Sequence, residues 1–138
     1  MGRVVGIDFG DVRIGIAISD ERRIIAQPVG AIRAAKTLPL TCALIKLELT
    51  RYNSIDLLVV GHPLLLSGKE GDMALKAKAF GNALSETLEI PVIFWDERLT
   101  SAQVDRMLRD SDVKRKKRAA LSDQLAAVTI LQNYLESL

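Results

Sequence analysis

Hydrophobic and polar positions follow two different periods along this chain, and the period changes near residue 37. Arg3–Phe9 is apolar and rich in β-branched residues, and Val12–Ser19 alternates through Ile14, Ile16 and Ile18. Period two is the signature of half-buried strands. Gly10-Asp11 and Asp20-Glu21-Arg22-Arg23 read as the turns between strands. Ile24–Ile32 predicts a third strand, which Pro28 bends or places at a sheet edge. From Thr37 to Tyr52 the apolar positions Leu40, Ala43, Leu44 and Leu47 fall at helical spacing. Ile55–Gly61 is a short, almost wholly apolar run, as expected of a parallel strand buried on both faces. Asp72–Leu88 reads as a helix through Ala77, Phe80, Ala83 and Leu84, and Pro91–Trp95 as another buried strand. Thr100 and Gln103 form a capping box for a helix ending near Arg109. A last helix covers about Arg118–Ser137. The order βββ-α-β-α-β-α-α predicts an α/β fold: a mixed five-stranded sheet with helices on both faces. Residues 1–138 read as one domain.

Composition narrows the chemistry. The 138 residues are 49% hydrophobic and 26% charged, with one cysteine and one histidine. Cys42 alone excludes an intramolecular disulfide framework and a cysteine zinc cage. The reading is a soluble protein of the reducing cytoplasm, with neither a signal peptide nor a membrane-spanning segment. Any histidine-dependent triad would have to run through His62. Nineteen basic and 17 acidic residues leave a net charge of +2, too little to diagnose a nucleic-acid partner. Yet Lys114-Arg115-Lys116-Lys117-Arg118 places five cations in a row, suited either to solvent or to backbone phosphates.

Three acidic positions break the burial pattern. Asp8 interrupts an apolar strand, in phase with Val4 and Gly6. Asp96-Glu97 ends the run Pro91–Trp95, where open α/β sheets bind ligands. On the last helix, at 100° per residue, Asp123 falls between Ile130 and Tyr134 in the apolar arc. Buried carboxylates need a partner. A salt bridge to Arg13 or Arg98 would satisfy Asp123. Alternatively, three such acids hold Mg²⁺ or Mn²⁺, hard cations that take oxygen ligands, and metal pairs of this kind cleave phosphodiesters.

The residues then resemble a family. Gly6-Ile7-Asp8-Phe9-Gly10 with Arg13-Ile14-Gly15-Ile16-Ala17 is similar to the opening of the YqgF-like, or RuvX-like, proteins. Val59-Val60-Gly61-His62-Pro63 with Gly68-Lys69-Glu70-Gly71 is similar to their central strand and loop. Asp96-Glu97-Arg98-Leu99-Thr100 matches their most specific motif, and Ser122-Asp123-Gln124-Leu125-Ala126-Ala127 with Ile130–Leu135 matches their C-terminal helix. The resemblance implies a single RNase H-like nuclease domain of the bacterial cytoplasm that processes the 5′ end of precursor 16S rRNA during ribosome biogenesis. It implies Asp8, Glu97 and Asp123 as catalytic acids and ligands of Mg²⁺ or Mn²⁺, choosing Glu97 over Asp96. Two departures stand out: Gly61-His62-Pro63 replaces the family's Gly-Leu-Pro, and Leu65-Leu66-Ser67-Gly68 replaces an Asn-Met-Asp-Gly-like loop.

Other residues take lesser roles. His62 is either structural or a proton shuttle facing the site. Arg98 either binds a scissile phosphate bidentately or tethers Asp96 or Asp123. Lys114, Arg115, Lys116, Lys117 and Arg118, with Arg22, Arg23 and Lys69, are candidate backbone contacts. Cys42, Phe94 and Trp95 read as core, and Gly68-Lys69 is no Walker A loop. The expected partner is structured RNA, in precursor form or on a ribosomal particle, with no membrane, the chain being a monomer or weak homodimer. Three alternatives accompany this reading. One is a dimeric Holliday-junction resolvase acting on branched DNA, and another a nucleic-acid-binding module that does not cut. The third is an actin-like ATP-binding protein, disfavoured because that fold needs two such domains.

Overall fold

The structure, a computed structural model, describes residues 2–63, 70–96 and 115–138, of which 115–123 as backbone alone. Its elements are β1 (Arg3–Phe9), β2 (Arg13–Ser19), β3 (Ala26–Arg33), α1 (Leu38–Leu49), β4 (Ile55–His62), α2 (Asp72–Leu88), β5 (Val92–Asp96) and α3 (Arg115–Glu136). The helix expected over 100–109 lies outside the described residues. One five-stranded sheet runs β3-β2-β1-β4-β5. β1, β2 and β3 pair antiparallel, whereas β4 is parallel to both β1 and β5. The mixed sheet read from the sequence is therefore present, and Pro28 does sit on an edge strand. The β2–β3 register shifts between Ile16 and Ala17, so Pro28 is accommodated beside an irregularity.

Helices cover both faces. Val5, Ile7, Ile14, Ile16, Leu58 and Val60 form one core layer with Cys42 and Ile45 of α1 and Phe80 and Leu84 of α2. Val4, Ala17 and Val59 form the opposite layer with Ala127, Ile130, Leu131 and Leu135 of α3. The apolar arc read from the last helix is thus the one that packs. Gly6 sets how closely α3 can approach. A Cβ there would stand 2.6 Å from Leu131 Cβ and 3.1 Å from the Ala127 carbonyl oxygen. At the other end of the contact, the Gln132 side chain accepts from the Ala26 N–H at 2.9 Å and donates to the Ile24 carbonyl at 3.0 Å. These two bonds satisfy backbone groups where the edge strand begins.

Two sequence expectations change. In α1 the stripe Leu40, Ala43, Leu44 and Leu47 is exposed, while Thr41, Cys42, Ile45 and Leu49 are buried. This helix is apolar nearly all round, so periodicity alone could not choose its face. The choice is made at its start. Thr37 caps the Leu40 N–H, and the Thr41 hydroxyl donates to the Thr37 carbonyl while accepting from the Ala35 N–H. β5, expected to be buried on both faces, is an edge strand with half-buried residues and an exposed Asp96. Phe94 and Trp95 pack on opposite layers as partly buried residues.

Candidate functional site

The C-terminal ends of the three mutually parallel strands meet on one edge of the sheet. β1 ends at Phe9, β4 at His62 and β5 at Asp96. Asp8 lies on this edge, half-buried, directly opposite Gly15 of β2 and engaged by a polar neighbour. Alternation fixes its face. Asp8 is in phase with Val4 and Gly6, which meet α3. The next residue, Phe9, points the other way and stacks on Phe80 of α2, with ring centroids 4.7 Å apart. That stack anchors the end of β1 and so holds the Asp8 backbone in place.

The same alternation separates candidates that lie close together in sequence. His62 is paired in register with Asp96. Both are in phase with the layer facing α1 and α2: His62 with Val60 and Leu58, Asp96 with Phe94 and Val92. His62 packs near Phe94 and lies 3.5 Å from Glu70, which also receives Lys78 at 3.0 Å. Of the two readings of His62, this placement favours the structural one, because the pleat sends His62 and Asp8 to opposite faces. Asp96 is likewise on the wrong face to join Asp8. Sequence reading missed Glu70, which gathers His62 and Lys78 at the β4–α2 corner; only the fold brings the three together.

Arg22 and Arg23, candidate phosphate contacts in the sequence, lie away from Asp8. They occupy the β2–β3 turn, at the opposite end of the sheet from Asp8. Arg23 is spent on structure: its guanidinium donates to the Gly2 carbonyl at 2.9 Å and pairs with Asp56 at 2.5 Å. Cys42 is buried core as expected. Burial pushes its thiol above the ordinary value, and a hydrogen bond with the Thr87 side chain pulls it partly back.

Glu97, Arg98, Lys114 and Lys69 lie outside the described residues. Asp123, Arg115, Lys116, Lys117 and Arg118 fall in the first turns of α3, where the backbone is described. Among the described residues no group of three His, Cys, Asp or Glu side chains gathers to hold a metal. Asp8 contributes one hard oxygen donor on the α3 face, the type that Mg²⁺ or Mn²⁺ takes.

Comparison with known proteins supplies the remaining context. Residues 2–137 match the family model for RuvX, described as Holliday junction resolvase. A relative from Protochlamydia amoebophila, named "Putative pre-16S rRNA nuclease", is 42% identical over 140 residues, covering 98% of this chain and 93% of that protein. One of the same name from Caldanaerobacter subterraneus subsp. tengcongensis is 43% identical over 136 residues, covering 98% and 96%. Among solved structures, the fowlpox virus Holliday junction resolvase superposes with a TM-score of 0.60 at 18% identity, covering 99% of each chain. RuvC of T. thermophilus, in complex with a Holliday junction substrate, gives 0.55 at 16% identity, covering 99% of this chain and 95% of that one. At these identities the likeness is one of fold, the RNase H-like arrangement.

Proposed function

This chain belongs to the RuvX family, and from that premise we propose that it is a metal-dependent endonuclease that hydrolyses phosphodiester bonds in precursor 16S rRNA. The observation that carries the reading is Asp8, a half-buried carboxylate at the C-terminal edge of the parallel strands, on the face that α3 covers. The relatives named for pre-16S rRNA support the substrate class at about 40% identity over nearly the whole chain.

Two registers support Glu97 and Asp123 as its companions. On β5, Ile93 and Trp95 are the residues in phase with the α3 layer. Asp96 is in phase with the other layer, so the adjacent acid Glu97 is proposed in its place. On α3, Gln132 lies level with the start of β3, beside the N-terminal end of β1, and Ala127 and Leu131 lie level with Gly6. The helix therefore runs back along β1 toward its C-terminal end. One turn before Ala127 stands Asp123, about 6 Å along the axis; two residues beyond Gly6 stands Asp8, about 7 Å along the strand. Three carboxylates converging there would hold Mg²⁺ or Mn²⁺. Bound at such a site, a divalent cation supplies Lewis-acid activation of water and stabilises the departing oxygen. The chain's own part is positional: the Phe9–Phe80 stack and the close Gly6–Leu131 contact keep the ligand-bearing backbones at fixed separation. Arg98 and the run Lys114–Arg118 would bind backbone phosphates. The domain is residues 1–138.

A second reading, a Holliday-junction resolvase, is favoured by the family description and the resolvase structures of like fold. It requires two symmetric cuts and so a dimer. Incubating the chain with Mn²⁺ and either a precursor 16S rRNA fragment or a four-way DNA junction separates the two. We expect the RNA to be cut near its 5′ end and the junction to stay intact. Symmetric junction cleavage by a dimer, with the RNA intact, would reverse the assignment.

A further inference from the structure

Opposite residues of an antiparallel pair project from the same face. The register of β2 with β3 sets Arg13 directly across from Arg33. Their shared face is that of Asp8. Arg13 is in phase with Gly15, the partner of Asp8, and with Ala17, which packs under α3. Arg33 is out of phase with Ile32, which packs in the other layer. Both arginines are exposed. They stand one step beyond the Asp8–Gly15 row, about 7 Å along the strands, at the same end of the sheet. A hydrogen bond of 2.8 Å from the Ala34 N–H to the Val12 carbonyl ties the two strand ends together beneath them. Exposed Lys36 follows three residues after Arg33.

Sheets do not place like charges opposite one another for their own stability, since such pairs are destabilising. Arg13 has an interaction partner of its own. Arg33 is tied to β2 through its backbone, and its side chain is exposed at the end of β3. Two arginines set opposite one another by the strand register, both exposed on the face and at the end of the sheet that carry Asp8, suit a bridging anion with several oxygens. We propose that Arg13 and Arg33 form a phosphate seat for the nucleic-acid strand that enters the Asp8 site. The seat is separate in sequence from the Lys114–Arg118 run, and it rests on the nuclease reading above.

The test is RNA binding without cutting. A labelled RNA spanning the 5′ end of precursor 16S rRNA is titrated in EDTA across a KCl series, with fluorescence anisotropy as the readout. Arg33→Ala is expected to weaken binding severalfold and to lower the salt slope by about 0.7–0.9, the loss of one phosphate contact. Arg33→Glu is expected to weaken it further, and Arg33→Lys to retain most of it. Lys46→Ala, on α1 across the sheet, is expected to bind as wild type. Identical affinity and slope for wild type, Arg33→Ala and Arg33→Glu would overturn the seat, as would an absence of wild-type binding. Cleavage in Mn²⁺ separates this failure from that of the nuclease reading. Cutting by wild type and Arg33→Glu with the same KM removes the seat and leaves the nuclease. Binding that depends on Arg33 without cutting by the wild type removes the nuclease and leaves the seat.

Discussion

A single residue step along a strand decides which face of the sheet an acid joins. Asp96 and Glu97 are equivalent as charges, and the sequence alone marks both as strand-end acids. The observed pleat puts Asp96 beside His62, with the α1–α2 layer. His62 lies on that layer too, away from Asp8, a placement that is invisible until strand phase is known. Cys42 is core as expected, though not with Leu40, Ala43 and Leu44, which are exposed; it is buried with Thr41, Ile45 and Leu49. Its raised thiol pKa has a consequence for stability. The folded thiol keeps its proton at a pH where the unfolded thiol, with an ordinary value of 9.0, has begun to lose it. The unfolded state then binds fewer protons, so this contribution is complete below that pH and is lost as pH rises above it. Urea unfolding at pH 8 and pH 10 is expected to show a larger loss of stability for wild type than for Cys42→Val. Equal losses would contradict it.

At the scale of elements, period and punctuation identified strands and helices well, but faces less well. Pro28 marked β3 as bent or at an edge, and α3 was placed by a clean apolar arc that contains Ala127, Ile130 and Leu131. α1 failed because leucines surround it, so capping and the Thr41 hydroxyl chose the face. β5 failed because an apolar run does not say how many neighbours a strand has. The contact that matters most for the site is Gly6 against Leu131. Gly6→Val forces α3 away from β1 and is expected to cost about 1–3 kcal/mol by overpacking, read by urea denaturation, together with cleavage activity. Adding Leu131→Ala opens space beside the new side chain. Part of the lost stability is then expected to return, a coupling that a double-mutant cycle measures. Strictly additive losses would show that Gly6 does not set the helix–strand approach.

Over the whole molecule, the net charge of +2 conceals a segregation. Acid and base gather around one end of the sheet, Asp8 on the α3 face with Arg13 and Arg33 a step beyond. The opposite end spends Arg23 on Asp56 and the Gly2 carbonyl. Motifs and their order made the family legible across the chain, and the fold followed. The arginine seat was not legible, because a cross-strand register cannot be read from one strand's sequence, and β3 reads as ending at Ile32, one residue short of Arg33. Among the described residues no helix is long and apolar enough to cross a membrane.

The central claim is that Asp8 serves metal-dependent phosphodiester cleavage. Its most direct test is single-turnover cleavage of a 5′-labelled precursor 16S rRNA fragment by wild type and Asp8→Asn, each in Mn²⁺ and in EDTA. The account predicts cutting by wild type in Mn²⁺, none in EDTA, and a loss of at least about 10²-fold in Asp8→Asn, the scale expected when an electrostatic element of a catalytic site is removed. Equal cleavage by Asp8→Asn, or cleavage by wild type that persists in EDTA, would contradict it.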